Sequence, residues 1–200
     1  MPRVSREQQA LHRQHILDAS SELFRRDGIA ATSVADLMGA AGLTHGGFYG
    51  HFESKEALAT EVCARAFEAS AQRWRQRAAR AEGDRPLARR TLVEGYLSQA
   101  ARDRPGTGCP ATTLAADAAH AGAGAPLRST YAEGLEGLLA VLEDLSGPAT
   151  GGLPRRRALV TLSTLVGAQM LARGTAGLPL SDEFLEAARQ ALAAELPRQR

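Results

Sequence analysis

Residues 44–56 read THGGFYGHFESKE, a stretch dense in groups that can donate hydrogen bonds and in positions with no side chain. His45 and His51 are two of the five histidines, Tyr49 offers a phenol, and Lys55 is the only lysine beside 23 arginines. Gly46, Gly47 and Gly50 sit where the flanking residues read as helix, and glycine costs about 1 kcal/mol there relative to alanine. Lost helix stability with bare backbone between donors suits close approach to a polyanion. Phosphate oxygens accept from hydroxyl, ammonium and backbone N–H groups, and helix N-termini favour them.

Other chemistry-bearing residues are sparser. His12 and His15 have the i, i+3 spacing of a helical metal pair, but no third ligand accompanies them, so a solvated helix face is expected and no metal. His45-Gly46-Gly47 has the look of an esterase oxyanion loop, yet the chain contains no G-x-S-x-G nucleophile elbow. Cys109 lies in a Gly/Pro turn before a helix, where an N-terminus can lower a thiol pKa. An oxidant or electrophile sensor and a small residue closing a turn are the alternatives, the second favoured. An enzyme built on Cys109 with His120 as base lacks any orienting third group. Cys63 reads as core. Phe67, Trp74, Tyr96 and Tyr131 either pack the core or line a ligand cavity, and Gln169 and Met170 on a largely apolar helix are further candidates for that cavity.

These residues need helices to place them. Apolar residues make up 44% of the 200, aromatics only 4%, and no stretch alternates as a strand would, so an all-α fold is expected. No run reaches the ~20 apolar residues of a membrane span, and the N-terminus lacks a signal-peptide core, so a cytoplasmic chain is expected. The net charge of +2 conceals an imbalance. Residues 1–64 carry six basic and eight acidic groups, whereas residues 65–104 carry ten arginines against five acids.

The pattern predicts a helix over 6–26 that Asp27-Gly28 ends, and a second from the N-cap Ser33, with Asp36 completing a capping box. Gly42 makes the turn to a third helix opening at Leu43-Thr44, with Phe48 and Phe52 four apart on its inner side. Ser54 caps a fourth helix reaching about residue 82. Further helices are expected over 86–103, 111–121, 127–145, 155–173 and 181–196, with a Gly/Pro loop at 147–154. The second and third helices, joined by about four residues, form a helix-turn-helix plan.

The run TSVADLMGAAGLTHGGFYGHFESKEAL, residues 32–58, resembles the signature of the TetR/AcrR family of bacterial one-component regulators. That resemblance implies an N-terminal DNA-binding domain (1–53) and a larger helical ligand-binding and dimerisation domain (54–200). It implies phosphate contacts from Ser33, Thr44, Tyr49, His51 and Lys55, with His45, Gly46 and Gly47 facing bases. It also implies a homodimer on a palindromic operator, held by Leu159, Leu162, Val166, Gly167, Phe184, Ala188 and Leu192 of the last two helices. The function expected on this basis is transcriptional repression relieved by a small-molecule effector, with no cofactor and no catalysis.

Overall fold

The computed structural model describes residues 5–146 and 154–194. Among them there are only helices and turns: α1 (Arg6–Asp27), α2 (Val34–Ala40), a 3-10 turn (His45–Gly50), α3 (Lys55–Ala79), α4 (Arg85–Tyr96), α5 (Gln99–Asp103), a short 3-10 turn (Pro105–Thr107), α6 (Pro110–Thr113), α7 (Ala115–His120), α8 (Pro126–Ser146), α9 (Pro154–Gly174) and α10 (Pro179–Ala194). The all-α expectation holds. The loop expected at 147–154 lies almost wholly outside the described residues, as do positions 195 and 196 of the last helix.

The helix boundaries follow the capping chemistry. The Ser33 hydroxyl accepts from the Asp36 N–H at 3.2 Å, and the Asp36 carboxylate accepts from the Ser33 N–H at 2.9 Å, so both halves of the capping box form. Ser54 accepts from the Ala57 N–H at 3.0 Å to start α3. Gly28, at φ 89°, closes α1 in a conformation that a β-carbon would strain.

Four expectations need correction. The segment after Thr44 is a 3-10 turn rather than an α-helix, because three of its six residues are glycines that give the α-form little support. The fourth helix stops at Ala79, where the chain turns through Glu82 and Gly83 at positive φ. The helix expected over 86–103 breaks at Leu97, and Ser98 re-caps the chain by accepting from Ala101 N–H at 3.1 Å. The 111–121 segment breaks at Leu114 into α6 and α7.

One apolar cluster runs from the first helices into the last. Ile16, Leu17, Phe24, Leu37, Met38, Phe48 and Phe52 meet Leu58 and Val62 of α3, and α3 carries the core on to Leu138 and Leu142 of α8 and Leu165 of α9. Phe48 and Phe52 face inward together, their ring centroids 5.9 Å apart. α3 packs along α8, α8 on α9, and α9 on α10. The α3–α8 contact is close at one point, where the Phe67 ring lies over Gly134 in the space a β-carbon would fill. Gly134→Ala is therefore expected to destabilise the fold by about 1–3 kcal/mol through overpacking. Equilibrium urea unfolding of the two proteins measures this, and an unchanged midpoint would contradict the packing.

Candidate nucleic-acid interface and ligand cavity

The 3-10 turn divides its residues cleanly between inside and outside. Phe48 is fully buried, whereas Thr44, His45, Gly46, Gly47, Tyr49 and Gly50 are exposed, Tyr49 at 68%. The Thr44 hydroxyl makes no capping bond to the turn it precedes. Nothing inside the protein demands glycine at 46 or 50, since a β-carbon there would meet no atom within 4 Å. At Gly47 the nearest atom would be the Met38 Cε at 3.5 Å, an ordinary contact. The bare surface therefore faces outward, and its cost in backbone order has no return from internal packing.

Three of the expected phosphate contacts have other engagements. The Ser33 hydroxyl, although exposed, donates to Asp36 at 2.5 Å within the capping box. His51 is half-buried with its ring edge-on to His12, 6.2 Å between centroids; burial first, and then the positive charge near His12 and Arg13, lowers its pKa. Lys55 donates to the carbonyls of Ile29 at 2.9 Å and Thr32 at 3.0 Å, so two of its three N–H groups brace the loop between α1 and α2. Its first task is internal.

A second brace has no sequence signal beyond charge. Arg13 of α1 forms a forked pair with Glu61 of α3, one arm at 2.8 Å, and its guanidinium lies 4.6 Å from the centre of the Phe52 ring. The hydrogen bond to Arg13 holds the Glu61 carboxyl below the ordinary carboxylate range. The two residues are 48 positions apart, which local spacing cannot reveal.

Comparison with known proteins places this surface. A sequence profile of "Bacterial regulatory proteins, tetR family" matches residues 16–62, which include α2, the turn and the start of α3. The HTH-type transcriptional regulator AcrR of Shigella flexneri is 39% identical over 62 residues, 31% of this chain and 29% of that protein. Over nearly the full length, the crystal structure of a TetR transcriptional regulator from Chloroflexus aurantiacus superimposes with a TM-score of 0.74 at 26% identity, covering 96% of this chain and 98% of the other. The reduced form of E. coli NemR superimposes with a TM-score of 0.80 at 23% identity over 94% and 98% of the two chains, a likeness of fold. Residues 16–62 therefore match the tetR family, and the aligned segment spans less than a third of the length of the AcrR protein.

A cavity of about 260 Å³ opens between α3, the α4–α5 junction, the 104–112 segment and α9. Trp74, Tyr96, Cys109 and Gln169 line it, as the sequence suggested. Phe67, Tyr131 and Met170 do not. Phe67 and Tyr131 stack edge-to-face at 5.3 Å between α3 and α8, Tyr131 donating to the Ala111 carbonyl at 2.6 Å, and Met170 is 45% exposed on α9. The wall also carries Arg73, Arg77, Arg104 and Arg173. None was singled out from sequence, although the arginine excess of residues 65–104 signalled three of them.

Beside the cavity, Cys109 precedes the four-residue α6. Its thiol is pushed above the ordinary value, because burial outweighs the stabilisation offered by Tyr96, the Ala111 and Thr112 N–H groups and Arg73. A lowered pKa, which only the less favoured of the two sequence readings required, does not arise because desolvation outweighs the donors around the thiol. Burial likewise pushes the Cys63 thiol up to about 12.

The dimer residues divide in the same way. Leu162, Ala188 and Leu192 are buried within the subunit. Leu159, Val160, Met170 and Leu171 are exposed on α9, with Val166 and Gly167 half-buried between them. Phe184 of α10 is half-buried against the subunit's own core.

Two measurements check this chemistry. Lys55→Met, which leaves the Ile29 and Thr32 carbonyls without their donor, is expected to lower stability by about 1–3 kcal/mol in urea unfolding. Cys109 is expected to alkylate with iodoacetamide at pH 7.5 more slowly than free cysteine; a faster rate would show an activated thiolate.

Proposed function

We propose that the chain is a ligand-responsive transcriptional regulator that binds operator DNA through the surface around Thr44–Gly50. The observation that carries this reading is the outward-facing bare turn, where small residues have no internal reason to be small. Its backbone would approach the major groove closely, with Thr44 and Tyr49 contacting phosphates and His45, Gly46 and Gly47 near base edges. With so few side chains at the base edges, part of the specificity would come from the deformability of the DNA. Ser33, His51 and Lys55 would act chiefly by holding this surface in position, Lys55 keeping one N–H for a phosphate.

Residues 1–53 would form the DNA-binding domain and residues 54–200 the ligand-binding and dimerisation domain. Leu159, Val166, Gly167 and Met170 fall at i, i+7, i+8 and i+11, one helical stripe left open on α9. A second copy covering this stripe would give a homodimer, set two recognition turns on successive grooves and select a palindrome about one turn (~34–36 Å) apart. An effector in the cavity would favour a state with lower DNA affinity, which makes the chain a repressor working in the cytoplasm. An enzyme reading finds no support in geometry: Cys109 is partnered by Tyr96, Ala111, Thr112 and Arg73, and His120 is exposed on α7.

Gel shifts on the DNA upstream of the protein's own coding sequence, across a salt titration, test this reading. Specific binding that weakens with salt is expected. Gly46→Ala is expected to leave thermal stability intact while weakening binding about tenfold, equivalent to 1.4 kcal/mol. Absence of specific binding, or an unaffected Gly46→Ala variant, would overturn it.

A further inference from the structure

The cavity wall holds four arginines and no carboxylate. Among the described residues none of the four is ion-paired. Arg73 donates to Ser70 at 2.8 Å, and Arg173 donates to the carbonyls of Arg102 and Ala101 at 3.2 and 3.0 Å. Those bonds orient the guanidinium groups and neutralise nothing. Arg77 and Arg173 lie across bare backbone, Nη1 and Nη2 being 2.8 and 2.7 Å from where a β-carbon would stand on Gly95 and Gly108. Arg25 adds a further positive charge on the far side of the 104–109 segment, donating to the Gly108 carbonyl at 3.0 Å. Like charges gathered around a hollow repel one another, and partial burial weakens their hydration. Desolvation accordingly lowers the pKa of Arg73 and Arg173, with the charge of Arg77 adding to the effect at Arg73.

An independent observation comes from α9, one turn before Arg173. Gln169 is 2% exposed, and neither its amide nitrogen nor its amide oxygen has a hydrogen-bond partner. A buried primary amide without partners costs several kcal/mol unless something supplies a donor and an acceptor. Trp74 and Tyr96 also line the cavity, both buried, with ring centroids 5.9 Å apart. The Tyr96 hydroxyl is already paired with Thr112 at 2.6 Å, so the two rings, set at 74° to one another, contribute apolar surface. At roughly 30 Å³ per water, the volume equals about nine waters and suits a small metabolite rather than a long-chain lipid.

We propose that this cavity takes a small aromatic oxyanion, its carboxylate or phosphate held by the arginines and a second, hydrogen-bonding group reaching Gln169. The planar guanidinium fork matches both anions in bidentate geometry, so both share the chemistry the site reads. As the effector site, this inference rests on the regulator reading above; as a binding site it does not.

Titration calorimetry with an isosteric series tests it: 4-hydroxybenzoate, the neutral 4-hydroxybenzamide, the cationic 4-hydroxybenzamidine and phenyl phosphate. At least one of the two anions is expected to bind at about 1 mM or tighter and at least tenfold more tightly than the neutral amide. The carboxylate and phosphate arms separate the two sources of negative charge. Arg77→Met, which removes a cation with no brace to the backbone, is expected to weaken the better anion at least fivefold. Gln169→Leu is expected to leave benzoate binding unchanged while reducing the advantage of 4-hydroxybenzoate over benzoate. Equal or tighter binding of the amide or the amidine, or no saturable binding by either anion, would overturn the proposal. A gel shift without any probe separates the two readings. Lost DNA binding with retained anion binding removes the regulator, and the reverse removes only the anion site.

Discussion

The backbone between α1 and α2 is the point on which the rest of the structure depends. A loop of that length cannot satisfy its own buried polar groups, and an unpaired buried carbonyl or N–H costs as much as a lost hydrogen bond. The chain supplies partners from two distant places. Asp117 of α7 accepts from the Ile29 N–H at 2.9 Å, and Lys55 at the start of α3 donates to the Ile29 and Thr32 carbonyls. The two faces of one peptide segment are thereby tied to α7 and to the start of α3, the helix that follows the exposed turn. Thr32 closes the loop on itself by donating to the Gly28 carbonyl at 2.8 Å. The position of α2, and so of the turn packed on it, is set by these bonds together with the Arg13–Glu61 fork.

How much of this was legible follows from the range of each interaction. Capping and periodicity act over three or four residues, so Ser33, Ser54 and the paired Phe48 and Phe52 were all readable. The 3-10 form of residues 45–50 was not, because the same glycines that signalled close approach also weaken the α-helix drawn through them. Leu97 and Leu114 break helices without glycine or proline in place, and only after Leu97 does a local signal, the N-cap Ser98, mark the break. Lys55 shows the limit of carrying roles by resemblance. Its position matched, but its ammonium is largely occupied by carbonyls 23 and 26 residues away. Met170, Leu162 and Ala188 all lie on amphipathic helices, yet which face meets the subunit's own core depends on where α8 and α4 pack.

The two candidate sites have opposite electrostatic characters. The exposed turn is nearly uncharged, in a region with more acids than bases, so any affinity for DNA there must draw on hydroxyls, backbone N–H groups and the close approach that glycine permits. The cavity instead concentrates arginines without counter-charge. A protein whose positive charge is withdrawn from its nucleic-acid surface cannot rely on bulk attraction to bind DNA, and geometry at the turn becomes the controlling variable. Small displacements of the turn should therefore alter affinity more than they would in a strongly basic reader.

Shared contacts give the cavity a physical route to the exposed turn. The segment Arg104–Thr112 lines the cavity and also touches α1, through the Arg25 bond to Gly108 and through Gly106 against Glu22. α7 follows α6 directly and carries Asp117 to Ile29. An occupant that draws Arg73, Arg104 and Arg173 together would act on the same segment that braces the loop before α2. Such contiguity is a route for coupling and does not by itself create it. A ligand shifts the equilibrium only by the difference between its affinities for the two states. The unpaired charges make that difference plausible in sign: the arrangement that gathers the guanidinium groups most closely is the one least stable when empty and most stabilised by an anion.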